Sequence, residues 1–443
     1  MIKKLITEYI LFYFRVLAKL QLKKNSRAII IGITGSAGKT SARLALAQIL
    51  KNRGRVKHSH HANSESGIPL NILGISPSTY SSLDWIRMII LAPIMLIFNW
   101  ERYDFYVVEM GIDSANEPKN MGYLLKIIRP HIGVILNAKL THSAGFDHLV
   151  KDSNPTRRIQ KLIGAIAKEK MRLLHGIAPH GVAVINIDQK ELVKECRGIR
   201  ARQISYGKSK KASLHILKVE NNSKGFIFKF NYQGQIHELA LKDILSEQYA
   251  YTFAASIATA AAIGVPPSVS VQALSLYRTP AGRLRIFEGI NESTLIDSSY
   301  NASPSTMEDA LILLKKIART RFKIAVIGDM RELGSSEKSV HKSLADSIPK
   351  YCDQVILFGA LTKKYTYPVL KSIKFPVTHF EKMNDLNIYL NSIVKKNSAI
   401  LFKGSQNTIF LERSVESALL NPSDAKYLCR RGPYWDKIRA STL

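Results

Sequence analysis

The chain has 443 residues, more than a single hydrophobic core accommodates, so two or three domains are expected. Its 46% hydrophobic and 22% charged residues are ordinary for a globular protein, but 64 Lys and Arg against 34 Asp and Glu leave a formal charge of +30. That surplus suits anionic partners; no recognisable nucleic-acid module accompanies it, so DNA or RNA is not the expected one. Cys196, Cys352 and Cys429 lie far apart with no CxxC pair, which implies neither a disulfide framework nor a zinc site and suits a reducing cytosol.

Residues 1–26 read as an amphipathic basic helix. Lys3, Lys4, Glu8, Arg15 and Lys19 are scattered among its apolar residues, which argues against a cleavable signal peptide and against a spanning helix. Such a helix lies on an anionic membrane surface or packs on the domain that follows, and both readings stand. Strands are expected at 28–33, 105–110, 132–136 and 182–187, and helices at 41–50, 159–174 and 251–263. Residues 88–98 (MIILAPIMLIF) are apolar but too short to span a membrane, and Pro93 is expected to break them. Residues 214–218, 225–232 and 235–239 alternate partly between apolar and polar and read as a small antiparallel meander.

After a Gly-Val-Pro-Pro stop at 264–267, residues 279–283 (TPAGR) read as a hinge into a second α/β unit. There, strands are expected at 293–297, 323–328, 354–358 and 399–402, with helices at 305–317, 338–348, 383–394 and 408–419. The expected architecture is therefore α/β: a basic helix over 1–26 and a central domain over 27–279 with a mostly parallel, doubly wound sheet plus the meander. A Rossmann-like domain follows over 280–420, and a basic tail over 421–443 is poorly ordered or packed on the surface.

The stretch IIIGITGSAGKT (29–40) carries the chemistry. A β-branched run ends in a glycine-rich turn and opens a helix, the context in which backbone amides encircle a polyphosphate. Thr34, Gly35, Ser36, Ala37, Gly38, Lys39 and Thr40 form this candidate ATP loop; Lys39 can neutralise β/γ oxygens and Thr40 can sit on Mg²⁺. Ile33 stands where the usual loop has its first glycine, and Gly32 and Gly35 take its place. Downstream, Asn63 opens a turn, Glu109 follows a buried strand where an Mg²⁺ ligand would sit, His142 follows another, and residues 166–173 carry several lysines.

These motifs in this order resemble the Mur ligases, ATP-dependent amide-forming enzymes of peptidoglycan precursor synthesis. The resemblance runs from about Arg27 to Leu420 and rests on GITGSAGKT (32–40), NSESGIPL (63–70), VVEMG (107–111), Asn137 with His142, Gly145 and Phe146, IAKEKMRLL (166–174), GVAVINID (181–188), AGRLRIFE (281–288), LIDSSYNASPSTM (295–307), AVIGDMRELG (325–334) and LFKGS (401–405). DSSYNASP together with GDMRELG is most similar to the members that add D-alanyl-D-alanine to a UDP-muramoyl-tripeptide.

The resemblance implies that Lys39 and the loop bind ATP, that Thr40 and Glu109 hold one Mg²⁺, and that His142 helps hold a second. It also implies that Lys170, with Lys168 as the fallback, becomes a carbamate and serves as an anionic ligand. Arg283, Asp297 and Asn301 would approach the nucleotide from the second unit, Asp329 and Lys403 would shape the site for the incoming amine, and Asn63 would contact substrate. The implied reaction activates a carboxylate as an acyl phosphate and releases ADP, in the cytoplasm or at the inner face of the membrane. A different carboxylate acceptor, as in polyglutamate or cyanophycin-type relatives, and a membrane-associated nucleotide-binding protein without turnover are the competing readings.

Three departures accompany the resemblance. Only about 25 residues precede the loop strand, where the family usually carries a domain that grips uridine diphosphate. Ser246, Gln248, Tyr249 and Thr252 replace the usual residues around the nucleotide base, and the segment between Phe146 and Lys170 is long.

Overall fold

The computed structural model describes residues 2–60, 62–222, 225–243, 245–406 and 409–441. Helix α1 (Ile2–Lys23) leads into β1 (Ile29–Thr34), and α2 (Lys39–Leu50), β2 (Val56–His58), α3 (Gly67–Leu73), α4 (Ser82–Phe98) and β3 (Phe105–Glu109) follow. Next come α5 (Met121–Ile127), β4 (Ile132–Ile135), α6 (Pro155–His175), β5 (Val182–Asn186), α7 (Lys190–Lys194) and β6 (Arg202–Gly207). The unit closes with β7 (Leu214–Asn222), β8 (Gly225–Tyr232), β9 (Gln235–Leu241), α8 (Gln248–Ala262) and α9 (Pro267–Leu274).

These strands form one sheet in the order β2-β3-β1-β4-β5-β6-β7-β8-β9, parallel up to β7 and antiparallel from β7 to β9. The meander is thus an extension of the main sheet. Its strands are buried on both faces, which explains why β1, β3, β4 and β5 read as continuous apolar runs. One face packs Ile31, Ile33 and Val134 against Leu46 of α2 and Phe253 and Ile257 of α8. The other packs Tyr106, Val108 and Ile135 against Leu124 of α5 and Leu173 of α6. Gly32 lets helix and loop close over the strand, since a Cβ there would stand 2.6 Å from Pro130 and 2.8 Å from the Met110 sulfur.

The second unit has strand order β10-β11-β15-β12-β13-β14. Its elements are β10 (Arg285–Gly289), β11 (Ser293–Asp297), α10 (Pro304–Ala318), β12 (Lys323–Gly328), α11 (Glu337–Ser347), β13 (Gln354–Phe358), α12 (Tyr367–Ser372), β14 (Val377–Phe380), α13 (Met383–Ile393), β15 (Ala399–Lys403), α14 (Glu412–Ala418) and α15 (Pro433–Ser441). Only β10 runs antiparallel to its neighbour. One apolar cluster continues from the first unit into the second, joining Leu140 and Phe146 to Met307, Met330 and Leu333.

Three expectations change. Pro93 does not break its segment: α4 runs through it, and the Ile89 carbonyl that Pro93 cannot serve accepts a hydrogen bond from the Tyr13 hydroxyl at 3.0 Å. The helix expected at 408–419 is the shorter α14, and Thr408 lies outside the described residues. The basic tail is anchored in the protein rather than loose on it. Arg430 is buried, bonds both oxygens of the buried Glu412 at 2.8 and 2.9 Å, and donates to the carbonyls of Ser299 and Tyr300.

Candidate active site

The phosphate loop leaves the carboxyl edge of β1 and turns into α2 at Gly38, whose φ of +85° is the left-handed conformation that glycine adopts without strain. Asn137, at the end of β4, holds the loop from beside it. Its side-chain oxygen accepts from the Ala37 amide at 2.9 Å, its side-chain nitrogen donates to the Ala37 carbonyl, and its backbone carbonyl accepts from the Ser36 amide. Two amides expected to face a polyphosphate are therefore committed to Asn137. Thr34 is also structural, because it is fully buried and its hydroxyl donates to the Met110 carbonyl at 2.7 Å.

Lys39 folds back over the loop and donates to the Gly35 carbonyl at 2.7 Å. Burial lowers its pKa, opposed by the charge of Glu109. The Thr40 hydroxyl lies 3.2 Å from Oε2 of Glu109, so two hard oxygen donors sit side by side at the start of α2. The other carboxylate oxygen, Oε1, accepts from Arg43 Nε at 2.8 Å in a buried ion pair, and Ser59 Oγ accepts from the Glu109 amide. Arg283, from the hinge between the units, donates to Thr40 Oγ1 at 3.1 Å and lies over the Tyr300 ring.

His142 has a left-handed backbone (φ 51°) and turns its Nδ1 to the Glu332 carboxylate at 2.6 Å, with Asp113 at 3.5 Å. The hydrogen bond from His142 holds Glu332 below the usual carboxylate range. With Nδ1 engaged, Nε2 is the nitrogen left for a metal, the arrangement by which a carboxylate orients a histidine ligand.

Lys170 is buried on α6, whereas Lys168 is exposed, which favours Lys170 as the reactive lysine. Burial first, and the charge of Lys39 second, push its pKa well below that of ordinary lysine. The positive charge of Lys39 that disfavours the Lys170 ammonium would favour an anionic group at the same position. Among the described residues no group of three His, Cys, Asp or Glu side chains forms a ready-made metal cluster. The oxygen donors that do lie side by side there are Thr40 Oγ1 and Glu109 Oε2.

Two cavities meet at His142. The larger is lined by the loop (Ser36, Ala37, Gly38), by Gln248, Tyr249 and Thr252 of α8, and by Arg283, Ser298, Tyr300, Asn301, Glu332 and Lys403. It thus spans both units. The smaller is lined by Lys39, Asn63, Ser64, Glu65, Asp113, Lys119 and His142. Asn63 stands against Gly111, whose amide donates to the Asn63 carbonyl.

Models of the Mur ligase middle domain and of the Mur ligase glutamate ligase domain match residues 33–260 and 282–406. The chain belongs to the Mur ligase family. It is 25% identical over 392 residues to the UDP-N-acetylmuramoyl-tripeptide--D-alanyl-D-alanine ligase of Buchnera aphidicola subsp. Baizongia pistaciae, covering 87% of this chain and 74% of that one. It is 26% identical to the ligase of the same name from Bacillus subtilis, over 89% of this chain and 76% of that one. Among solved structures, MurF of Acinetobacter baumannii superposes with a TM-score of 0.74 at 21% identity, covering 92% of this chain and 79% of that one. The Thermotoga maritima MurF ligase in complex with ADP gives 0.73 at 24%, covering 91% and 83%.

Within this Mur ligase, two residues sit differently from expectation. The Asp297 carboxylate is fully buried beneath the cavity loop; Oδ1 accepts from the amide and hydroxyl of Ser299, so it braces the loop and does not line the cavity. Asp329 accepts from the amides of Leu361 and Thr362 and is walled off by Gly359, so it organises a turn and lines neither cavity. Lys403, expected to shape the site for the incoming amine, lines the larger, two-unit cavity. It donates to Ser298 Oγ and the Asn301 carbonyl, and burial lowers its pKa to about 7.

Sequence reading missed Arg43, Glu332, Asp113, Glu65 and Lys119. The GDMRELG motif contained Glu332, but nothing in its spacing pointed to a histidine 190 positions earlier.

Proposed function

We propose that the protein is an ATP-dependent ligase that joins D-alanyl-D-alanine to a UDP-N-acetylmuramoyl-tripeptide, forming an amide and releasing ADP and phosphate. The relatives that carry this activity in their names support the choice of substrates. The observation that carries the chemistry is the closure of Arg283 onto Thr40, beside Glu109 and across from Lys39, over a cavity built from both units.

In this reading the larger cavity takes the nucleotide, and the smaller one, between Asn63, Glu65, Lys119 and His142, takes the carboxylate of the acceptor. Lys39 and Arg283 offset charge on the transferring phosphoryl group while the acceptor oxygen attacks and ADP leaves. The amine then attacks the acyl phosphate, and phosphate departs from the tetrahedral intermediate. Thr40, Glu109 and His142 would hold Mg²⁺, with Lys170 joining as a carbamate. Bound there, divalent cations supply charge neutralisation for the triphosphate. Contacts between the units, such as Ser143 Oγ to the Leu333 carbonyl and Asp147 to Ser335, hold the two units together beside the cavity.

Cytoplasmic placement belongs to the same reading; peripheral contact at the inner face of the membrane through α1 is a separate one. A phosphate-release assay tests the activity: release should require ATP, the UDP-linked tripeptide and D-alanyl-D-alanine together. Folded protein that releases no phosphate with this pair, but does so with a glutamate-chain or cyanophycin-type acceptor, would overturn the substrate assignment.

A further inference from the structure

The α1 helix and the α4 insertion form one surface. They run side by side in the same direction: Tyr13 donates to the Ile89 carbonyl, and eight residues further along α1, Gln21 donates to the Asn99 carbonyl just past the end of α4. Both turn their buried faces toward α3, in a cluster of Phe14, Leu70, Leu73, Met88 and Ala92. Their opposite faces therefore point the same way.

Those outer faces are apolar. On α1 they carry Leu5, Tyr9, Phe12, Val16 and Leu20, and on α4 Leu83, Ile86, Ile90, Ile94 and Ile97, with exposures reaching 73% at Tyr9 and 78% at Leu83. Spacings of three and four residues make each set one stripe. Phe98 and Trp100 extend the face at its lower end. A contiguous exposed patch of large aliphatic and aromatic side chains on two adjacent helices is far more than scattered surface hydrophobes.

The rim of this face is positive. Arg15, Lys19, Lys23, Lys24 and Arg102 flank it; Lys24 and Arg102 both lie over the Trp100 ring. Of the acidic residues nearby, Asp84 is buried, accepts from the amides of Ser78, Thr79 and Tyr80 and is paired with Arg87, and Glu101 is paired with Lys57, which leaves Glu8. No helix among the described residues is long and apolar enough to cross a membrane. A second copy docking the same face would bring like charges together around a two-fold axis. An anionic bilayer meets both demands, taking the stripes into its interfacial layer and the rim at its headgroups.

We infer that α1 and α4 together form a monotopic docking face for an anionic lipid bilayer, with the α4 insertion supplying half of it. The inference goes beyond the ligase assignment and stands or falls separately.

Vesicle flotation of the full chain tests this. The protein should float with phosphatidylcholine vesicles containing phosphatidylglycerol, and markedly less with phosphatidylcholine alone or at high salt. Ile90→Glu with Ile94→Glu should lower the bound fraction about tenfold, as charges entering the interfacial layer do. Leu5→Glu with Tyr9→Glu should do the same from the other helix, which guards against a folding defect in one variant. Ile236→Glu, an exposed apolar site in the meander, should float like wild type. Failure to float on anionic vesicles, or floating that both double variants leave unchanged, would overturn the inference. So would a dimer in sedimentation that these variants dissociate, since a second copy would then own the face. Phosphate release from soluble substrates, measured on the same preparations, reports the ligase reading independently.

Discussion

Arg283 reaches across the hinge to the Thr40 hydroxyl at 3.1 Å, and Thr40 in turn lies 3.2 Å from Glu109. The first turn of the helix that follows the phosphate loop is thus touched by a residue that precedes β10, and Tyr249 of α8 holds its backbone carbonyl at 3.0 Å. Arg283→Ala removes a positive charge from beside the loop. Steady-state kinetics should show kcat falling by about 10² to 10³, with a smaller change in the KM for ATP. A change in KM alone would mean that Arg283 only binds nucleotide.

Lys170 is deep, and its ammonium is disfavoured by burial and by Lys39. Lys170→Ala should lose activity by about two orders of magnitude and regain part of it with short carboxylates that stand in for a carbamate. The neutral amine reacts with CO₂, so at limiting CO₂ wild-type activity should fall as pH drops and the amine becomes protonated. Activity indifferent to CO₂, with no rescue of the variant, would count against modification of this lysine.

Arg43 neutralises one oxygen of a carboxylate that is otherwise buried. Arg43→Ala leaves Glu109 with an unpaired charge away from water, and urea denaturation should show a loss of about 3–5 kcal/mol. Arg43→Ala combined with Glu109→Gln should recover part of that loss while remaining inactive.

Glu332→Gln keeps the shape of the contact to His142 but removes the negative charge that orients and polarises the ring. Activity should fall about 10- to 100-fold and need more Mg²⁺ to reach half-maximum, with the melting temperature little changed. Unaltered Mg²⁺ dependence would place His142 outside metal binding.

Lys403 titrates at about 7 in the folded chain, against 10.5 for an ordinary lysine. Between these values the unfolded chain binds the proton and the folded chain does not, so stability rises with pH across that window. Below about 7 both states are protonated and the cost of the buried ammonium is fully present; above about 10.5 it is gone. Thermal melts of wild type and Lys403→Met from pH 6 to pH 10 should therefore show the difference moving in favour of wild type as pH rises. Parallel curves would show that the ammonium is solvated.

The parallel strands were legible because burial on both faces writes them as unbroken apolar runs: Ile29–Thr34, Phe105–Glu109, Lys323–Gly328 and Gln354–Phe358. Strands β2, β6, β10 and β14 were not, since they are short or carry polar and charged residues such as Lys57, Arg202, Arg285 and His379. Pro93 misled for a local reason with a distant remedy, because the carbonyl it leaves unserved is taken by Tyr13, 76 residues away. Asp297 and Asp329 stood at strand ends where ligands often bind, but whether a carboxylate there turns outward to a cavity or inward to backbone amides is a matter of packing.

The chain's sequence by itself determined the strand, glycine turn and helix of the phosphate loop and the two α/β units. These depend on interactions within a few residues: side-chain period, β-branched runs, and the left-handed turn that Gly38 allows. Tertiary structure alone decided that Arg43 neutralises Glu109, that Glu332 aims His142, that Arg430 anchors the tail, and that two apolar stripes share one face. Each of those depends on a partner many residues away, and electrostatic attraction and packing act through space without regard to order along the chain.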